Sequence, residues 1–345
     1  MSLHSEILEQ PERLAKLLAS QRKTVEEITR AIKSRNISYV FLAARGTSDN
    51  AGRYANYLLG AVNRLPLALA APSLFTYYQQ PPNLAGALVI GISQSGQSPD
   101  IVSVLQEGKR QECLTLAITN EPDSPLAAQA DFVFDIQAGP ERAVAATKTY
   151  TAELMAIAML SAALSGDKSN WESLAKIQDW ISEVLKHDEA IRQAAERYRY
   201  MQQCVVLGRG FNYATAYEWA LKLKELTYVE AEPYSSADFQ HGPIAMVARG
   251  FPVMAVVSAG KVADSLMRLL EHLKNDLMAE LVVISNMKEA LALAQTRVAI
   301  PAEIPEALTP LVNIVPAQLF SYHLTLAKGY DPDKPRTISK ITETR

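Results

Sequence analysis

The sequence predicts an α/β protein built as two parallel sheets, each with helices on both faces, and three observations carry that prediction. Short apolar runs alternate with helical stretches along most of the 345 residues. The strongest runs, such as Leu88-Val89-Ile90-Gly91-Ile92, are unbroken rather than alternating, as expected of central strands buried on both sides. The rhythm also occurs twice. Ala43-Ala44-Arg45-Gly46-Thr47-Ser48 ends the first strand of one half and Leu207-Gly208-Arg209-Gly210-Phe211-Asn212 that of the other, with Gly46 and Gly210 164 positions apart. The same offset carries Gly96 onto Gly260, which closes Val256-Val257-Ser258-Ala259-Gly260.

In order along the chain, a charged amphipathic helix over about 5–29 comes first and lacks the character of a signal peptide. Strands follow at 37–44, 66–71, 87–93, 114–119 and 132–136, with a helix over about 98–109 after the third. A long helix over about 145–164 closes this half, and Gly166-Asp167-Lys168-Ser169-Asn170 is a polar break. A charged helical connector over 171–200 leads to strands at 204–208, 252–258 and 281–285, with a helix at 213–229 between the first two. The expected division is a helical segment at 1–34, a first domain at 35–166, the connector at 167–200, a second domain at 201–330 and a tail at 331–345.

The stretch after the third strand is the most informative. Ser93-Gln94-Ser95-Gly96-Gln97-Ser98-Pro99 clusters hydroxyl and amide donors around a glycine, between a buried strand and a helix start. Such a turn aims backbone N–H groups, a helix dipole and several hydroxyls at one point, which suits a phosphate. The loop has no lysine and lacks nucleotide P-loop spacing, so a small monophosphate ester fits better than ATP. An ordinary serine-rich turn, with Ser98 or Pro99 serving only as helix start, is the competing reading. Thr47-Ser48 and Ala143-Val144-Ala145-Ala146-Thr147-Lys148-Thr149 are two further donor clusters of the same half. The second half has Val257, Ser258 and Ala259 in place of Ser93, Gln94 and Ser95, so only the first half is expected to hold phosphate.

Composition narrows the function. A net charge of −3 argues against a nucleic-acid partner, and no apolar run reaches the roughly 20 residues that cross a bilayer. The two cysteines, Cys113 and Cys204, fall beside or within expected buried strands, which points to a reducing cytoplasm. Two cysteines and five scattered histidines argue against a structural zinc site.

Three segments together identify a family: Arg45-Gly46-Thr47-Ser48, Ser93-Gln94-Ser95-Gly96, and Lys222-Leu223-Lys224-Glu225 followed by Asp238-Phe239-Gln240-His241-Gly242-Pro243. From about residue 35 onward the chain resembles proteins with two tandem sugar-isomerase (SIS) domains, and most closely the isomerase half of glucosamine-6-phosphate synthase and the SIS-type glucosamine-6-phosphate deaminases. The resemblance implies two flavodoxin-like domains, no cofactor, and a cytoplasmic homodimer with shared active sites acting on a hexose or amino-hexose 6-phosphate. Ser48, Ser93, Gln94, Ser95 and Ser98 would hold the phosphate and Val144 would give backbone contacts to the sugar, whereas Thr47 could equally cap a helix.

Moving a carbonyl between C1 and C2 needs ring opening, removal of a proton beside the carbonyl and its return one carbon away. Glu225 matches the family's catalytic glutamate, and its competing reading is a solvated i,i+3 pair with Lys222. Lys222 itself could neutralise enolate charge. His241 matches the ring-opening histidine, which the family lends to the neighbouring subunit; His4, His187, His272 and His323 match nothing catalytic. Lys340 matches the lysine that forms a Schiff base with the open-chain sugar, in a tail with Pro332, Pro335 and Arg336; a frayed basic terminus is its alternative.

In the synthase a glutaminase precedes the isomerase and uses a cysteine at the processed N-terminus. Here Met1 is followed by Ser2, and Ile37 leaves no room for that domain, so the expectation is a chain that does not itself draw ammonia from glutamine. The first expectation is therefore a deaminase that converts glucosamine 6-phosphate to fructose 6-phosphate and ammonia. The alternatives are an isomerising aminotransferase-like protein without its glutaminase, a fructosamine-6-phosphate deglycase, and a non-catalytic sugar-phosphate sensor.

Overall fold

The computed structural model describes residues 2–340, which divide into two compact units. One takes in Glu12–Glu141, Lys148–Ala175 and the chain from Ser339; the other takes in the residues up to Pro11, Arg142–Thr147 and Lys176–Ile338.

The first unit holds β1 (Tyr39–Ala43), β2 (Leu67–Leu69), β3 (Ala87–Ile92), β4 (Leu114–Thr119) and β5 (Phe132–Asp135) in the order β2-β1-β3-β4-β5, all parallel. Every residue of β3 and β4 is buried, which is why these strands read as continuous apolar runs. Val89 of β3 packs with Ile101, Val104 and Leu105 of the helix Pro99–Arg110. Tyr39 lies opposite Ala87 and Ala43 opposite Gly91, so β1 and β3 end level with each other. In this strand order the crevice beyond those two ends is the topological switch point, where open α/β sheets bind ligands.

The second unit repeats the design with β6 (Gln203–Gly208), β7 (Glu230–Ser235), β8 (Pro252–Val257), β9 (Glu280–Ser285) and β10 (Thr296–Ala299). Its order is β10-β9-β8-β6-β7, again all parallel, and read from β7 it is the order of the first sheet. The chain is thus an α/β protein of two flavodoxin-like parallel sheets.

The sequence pattern missed β7 and β10 because both are edge strands without an apolar run. β7 is Glu-Ala-Glu-Pro-Tyr-Ser with Pro233 inside it, and β10 alternates buried and exposed residues. Helix extents also differ from the pattern. The leading segment is three helices, Leu3–Leu8, Gln10–Ser20 and Arg22–Ser34, and the connector is three more, Lys168–Ala175, Ile177–Leu185 and Asp188–Glu196. The helix expected from residue 145 begins at Lys148, leaving Arg142–Thr147 irregular. The helix expected over 213–229 is α-helical only over Tyr213–Lys222, then widens into a π turn, Leu223–Thr227, closed by left-handed Tyr228 (φ 57°). Among the described residues no helix is long and apolar enough to cross a membrane.

Candidate active site

In the first unit the serine loop leaves β3 at the switch point and is fixed from below by the end of β4. Gln94 O accepts from Asn120 N (3.1 Å) and Thr119 Oγ1 (3.3 Å), and Gly96 O accepts from Leu126 N (3.1 Å). Ser93 Oγ accepts from Gly96 N (3.1 Å) and Ser95 Oγ from Gln97 N (3.3 Å), so the hydroxyls shape the turn as acceptors while their protons can serve a ligand. Gly96 has φ +60°, and a Cβ there would lie 2.0 Å from Ser124 Oγ, so the turn excludes any other residue. Ser98 is the N-cap of Pro99–Arg110 yet makes no side-chain cap bond. The helix start is therefore set by Pro99 and the backbone, and the Ser98 hydroxyl is not consumed by capping.

A second helix, Gly46–Asn63, begins just after β1, and an ion pair ties the two helix starts together: Arg45 Nε lies 2.7 Å from the buried carboxylate of Asp100. Asp100 also accepts from Ile101 N (2.9 Å). The positive ends of both helices consequently stand at the switch point with fixed spacing. Thr47 is half-buried in that first turn. Ser48 differs from its expected use, because its Oγ donates to Glu153 Oε1 (2.8 Å). Its hydroxyl proton thus belongs to a buried carboxylate, and a phosphate contact from Ser48 would have to come through another group.

Lys340 belongs to this unit too. Its Nζ lies 2.5 Å from Oε2 of Glu141, a side chain with no exposure that also accepts from Thr149 N (3.1 Å) and Thr149 Oγ1 (2.8 Å). Lys340 is docked at the start of the helix Lys148–Ser165.

The second unit contains the carboxylate and ammonium cluster. Lys222 Nζ is 2.5 Å from Glu225 Oε2 and 3.3 Å from Glu218 Oε1, with Lys222 1% and Glu218 0% exposed. This is no solvated surface pair. Burial pulls the Lys222 ammonium toward neutrality, but the two carboxylates outweigh it and push its pKa up. Lys222 is therefore a fixed cation. Glu225, at 24% side-chain exposure, is the member of the cluster that reaches solvent. It sits in the π turn, a widening that is frequent at functional sites, which Thr227 Oγ1 supports by donating to Leu223 O (2.6 Å).

His241 caps the short helix Ser236–Gln240, is exposed, and is followed by Gly242 at φ +138°. Val144 is half-buried in the irregular segment Arg142–Thr147 of this unit. Beyond Tyr228, the tail is pinned: Arg336 N donates to Tyr228 Oη (2.9 Å), and the Arg336 guanidinium lies 4.4 Å from the Tyr228 ring centroid and 5.0 Å from that of Tyr330.

At the switch point of the second sheet the chain's own side chains occupy the crevice. Asn212 Nδ2 donates to Ser258 Oγ (3.2 Å) and Thr309 Oγ1 (2.8 Å), and Asn313 Nδ2 donates to Asn212 Oδ1 and Ser258 Oγ (2.9 Å each). Glu306 Oε2 accepts from Lys261 N (3.0 Å) beside Gly260, so a carboxylate of the protein stands next to the counterpart of Gly96.

Two other polar groupings were not anticipated from sequence. A cavity of about 570 Å³ at the ends of β4 and β5 is lined by Arg13, Lys16, Asn120, Glu121, Asp135 and Gln137, whose charges balance. His4 Nε2 and His323 Nε2 both point at Asp188, at 2.8 and 2.6 Å, one on each carboxylate oxygen. The sequence reading also passed over Glu218, Glu141, Glu153 and Asp100. Of these, only Glu218 had a usable signal, standing four residues before Lys222 on one helix face.

A family model described as the SIS domain matches residues 35–163 and again 200–328. The chain belongs to the SIS domain family. This SIS chain is 34% identical over 344 residues to the glutamine--fructose-6-phosphate aminotransferase [isomerizing] of Thermococcus kodakarensis, covering 97% of the chain and 56% of that protein. The corresponding aminotransferase of Thermus thermophilus is 32% identical over 348 residues, covering 97% and 57%. The chain spans about half the length of the curated relatives it matches. Among solved structures, the C-terminal domain of glucosamine-fructose-6-phosphate aminotransferase from Francisella tularensis matches with a TM-score of 0.83 at 28% identity, covering 96% of this SIS chain and 98% of that one. Glucosamine-6-phosphate deaminase from Thermotoga maritima also gives 0.83, covering all of both chains, but at 21% identity that likeness speaks for the fold alone.

Proposed function

We propose that this SIS protein is a phosphosugar enzyme that interconverts fructose 6-phosphate plus ammonia and glucosamine 6-phosphate plus water. Ammonia replaces the C2 carbonyl oxygen of the open-chain ketose, which leaves as water, and a proton then moves from C1 to C2, a reading supported by the isomerizing aminotransferases it is similar to. The observation that carries the reading is the Lys222–Glu225 pair, in which a buried cation holds a partly exposed carboxylate at 2.5 Å. In the proposed mechanism the Ser93–Ser98 loop and the two helix starts braced by Arg45 and Asp100 grip the phosphate. Glu225 removes and returns the proton, Lys222 offsets the developing enolate charge, and His241 opens the ring from a neighbouring subunit of a homodimer. Lys340, once it leaves Glu141, condenses with the C2 carbonyl of the open-chain ketose and releases water, and ammonia then displaces its amine at C2.

The relatives move the preferred reading away from a free deaminase. Likeness to the aminotransferases reaches 34% identity over nearly the whole chain, against 21% for the deaminase. The test is to incubate the purified protein with fructose 6-phosphate and ammonium, and separately with glucosamine 6-phosphate, and to follow sugar and ammonia. Formation of glucosamine 6-phosphate is expected. Ammonia release from glucosamine 6-phosphate with no reverse reaction under excess ammonium would restore the deaminase, and tight binding without chemistry in either direction would make the protein a sensor.

A further inference from the structure

Glu6 lies in the first helix of the chain, Leu3–Leu8, and its side chain is wholly buried. A buried carboxylate must be matched by donors, and Glu6 finds them in a distant backbone. Its Oε1 accepts from Arg142 N at 2.6 Å, and Ala143 N lies 3.3 Å from Oε2 and 3.4 Å from Oε1. Those amides open the irregular segment Arg142–Thr147, which has no strand or helix ladder of its own to fix it. The other end of the segment is tied as well: Gln318 Nε2 donates to Thr147 O (3.2 Å), and Gln318 Oε1 accepts from Gln10 Nε2 (2.9 Å). Val144 thus hangs between two anchors.

The helix carrying Glu6 is closed by a cap of its own and tied outward by two further polar contacts. Ser2 and Ser5 form a reciprocal capping box, Leu3 N donates to Asp333 Oδ1 (2.7 Å), and His4 Nε2 meets Asp188 Oδ2 (2.8 Å). The helix is therefore a rigid mount. We infer that Glu6 is a positioning residue of the sugar site, holding the Arg142–Ala143 backbone so that the adjoining Val144 main chain meets the sugar ring. The inference rests on the proposed function for Val144's contact with sugar. It assigns the first helix to the substrate site rather than to a separate appendage.

The test compares wild type with Glu6→Gln, which keeps the shape but turns an amide N–H toward a backbone donor, and with Glu6→Asp, which keeps the charge and shortens its reach. Calorimetric titration measures affinity for inorganic phosphate and for fructose 6-phosphate, alongside thermal unfolding. Inorganic phosphate probes only the serine loop, in the other unit. The expected result for Glu6→Gln is unchanged phosphate affinity and fructose 6-phosphate weakened by about tenfold, with Glu6→Asp in between. Equal weakening of both ligands, or no change in either, in whichever of the two variants folds, overturns the inference. A wild type that binds fructose 6-phosphate no better than phosphate overturns the proposed function itself, which is a distinguishable failure.

Discussion

Lys222 Nζ and Glu225 Oε2 stand 2.5 Å apart across the start of a π turn, the ammonium buried and the carboxylate partly exposed. With Glu218 on the other side of Lys222, the cluster carries two carboxylates against one cation. That asymmetry gives the members different work. Lys222 stays charged through the neutral range, and Glu225 is the member of the cluster that reaches solvent.

Replacing Glu225 by Gln preserves shape and removes the base. Turnover is expected to fall by about 10²–10⁴-fold, while fructose 6-phosphate affinity changes only a few-fold. Progress curves and calorimetric titration on the same preparation check this, and a binding loss that matches the rate loss would remove Glu225 from the chemistry.

Lys222→Met keeps most of the volume but leaves Glu218 buried without its cation, which is expected to cost about 3–5 kcal/mol. Because the folded pKa of Lys222 is raised above its ordinary value of 10.5, the stabilisation is fully present below that value and is lost as pH rises through the folded pKa. Urea unfolding should therefore show a constant difference between wild type and variant from neutral pH to about 9, shrinking only in strong alkali.

Gly96→Ala forces a side chain into a left-handed backbone position and against Ser124 Oγ. Strain of about 1–3 kcal/mol must be relieved by deforming the loop. Inorganic phosphate affinity is expected to drop at least about tenfold, and an unchanged affinity would place the anion elsewhere.

The exposed His241 yields a complementation test. If it serves the partner's site, mixing inactive Glu225→Gln subunits with inactive His241→Ala subunits regenerates one intact site per mixed dimer, about a quarter of wild-type activity under random pairing in a two-fold dimer. A mixture that stays inactive after subunit exchange contradicts the shared site.

Much of this molecule is written in its apolar pattern. β3, β4, β8 and β9 were legible because a strand buried on both faces must be continuously apolar, and the 164-residue offset between Gly96 and Gly260 disclosed the doubled sheet. β7 and β10 were not, since an edge strand tolerates Pro233 and exposed Arg297. The serine loop after β3 and Glu225 were visible as motifs. Their supports were invisible because they depend on long-range pairing: nothing local links Arg45 to Asp100, Glu6 to Arg142, or Lys340 to Glu141. The π turn was equally hidden, because Leu-Lys-Glu-Leu-Thr has ordinary helical propensities.

The most direct measurement follows hydrogen at C1 and C2. With fructose 6-phosphate and ammonium in D2O, proton NMR should show wild-type protein washing a C1 proton into solvent or moving it to C2, with Glu225→Gln inert. Wild-type protein that binds fructose 6-phosphate yet leaves both C1 protons in place, or a Glu225→Gln variant that exchanges them at the wild-type rate, would contradict the account.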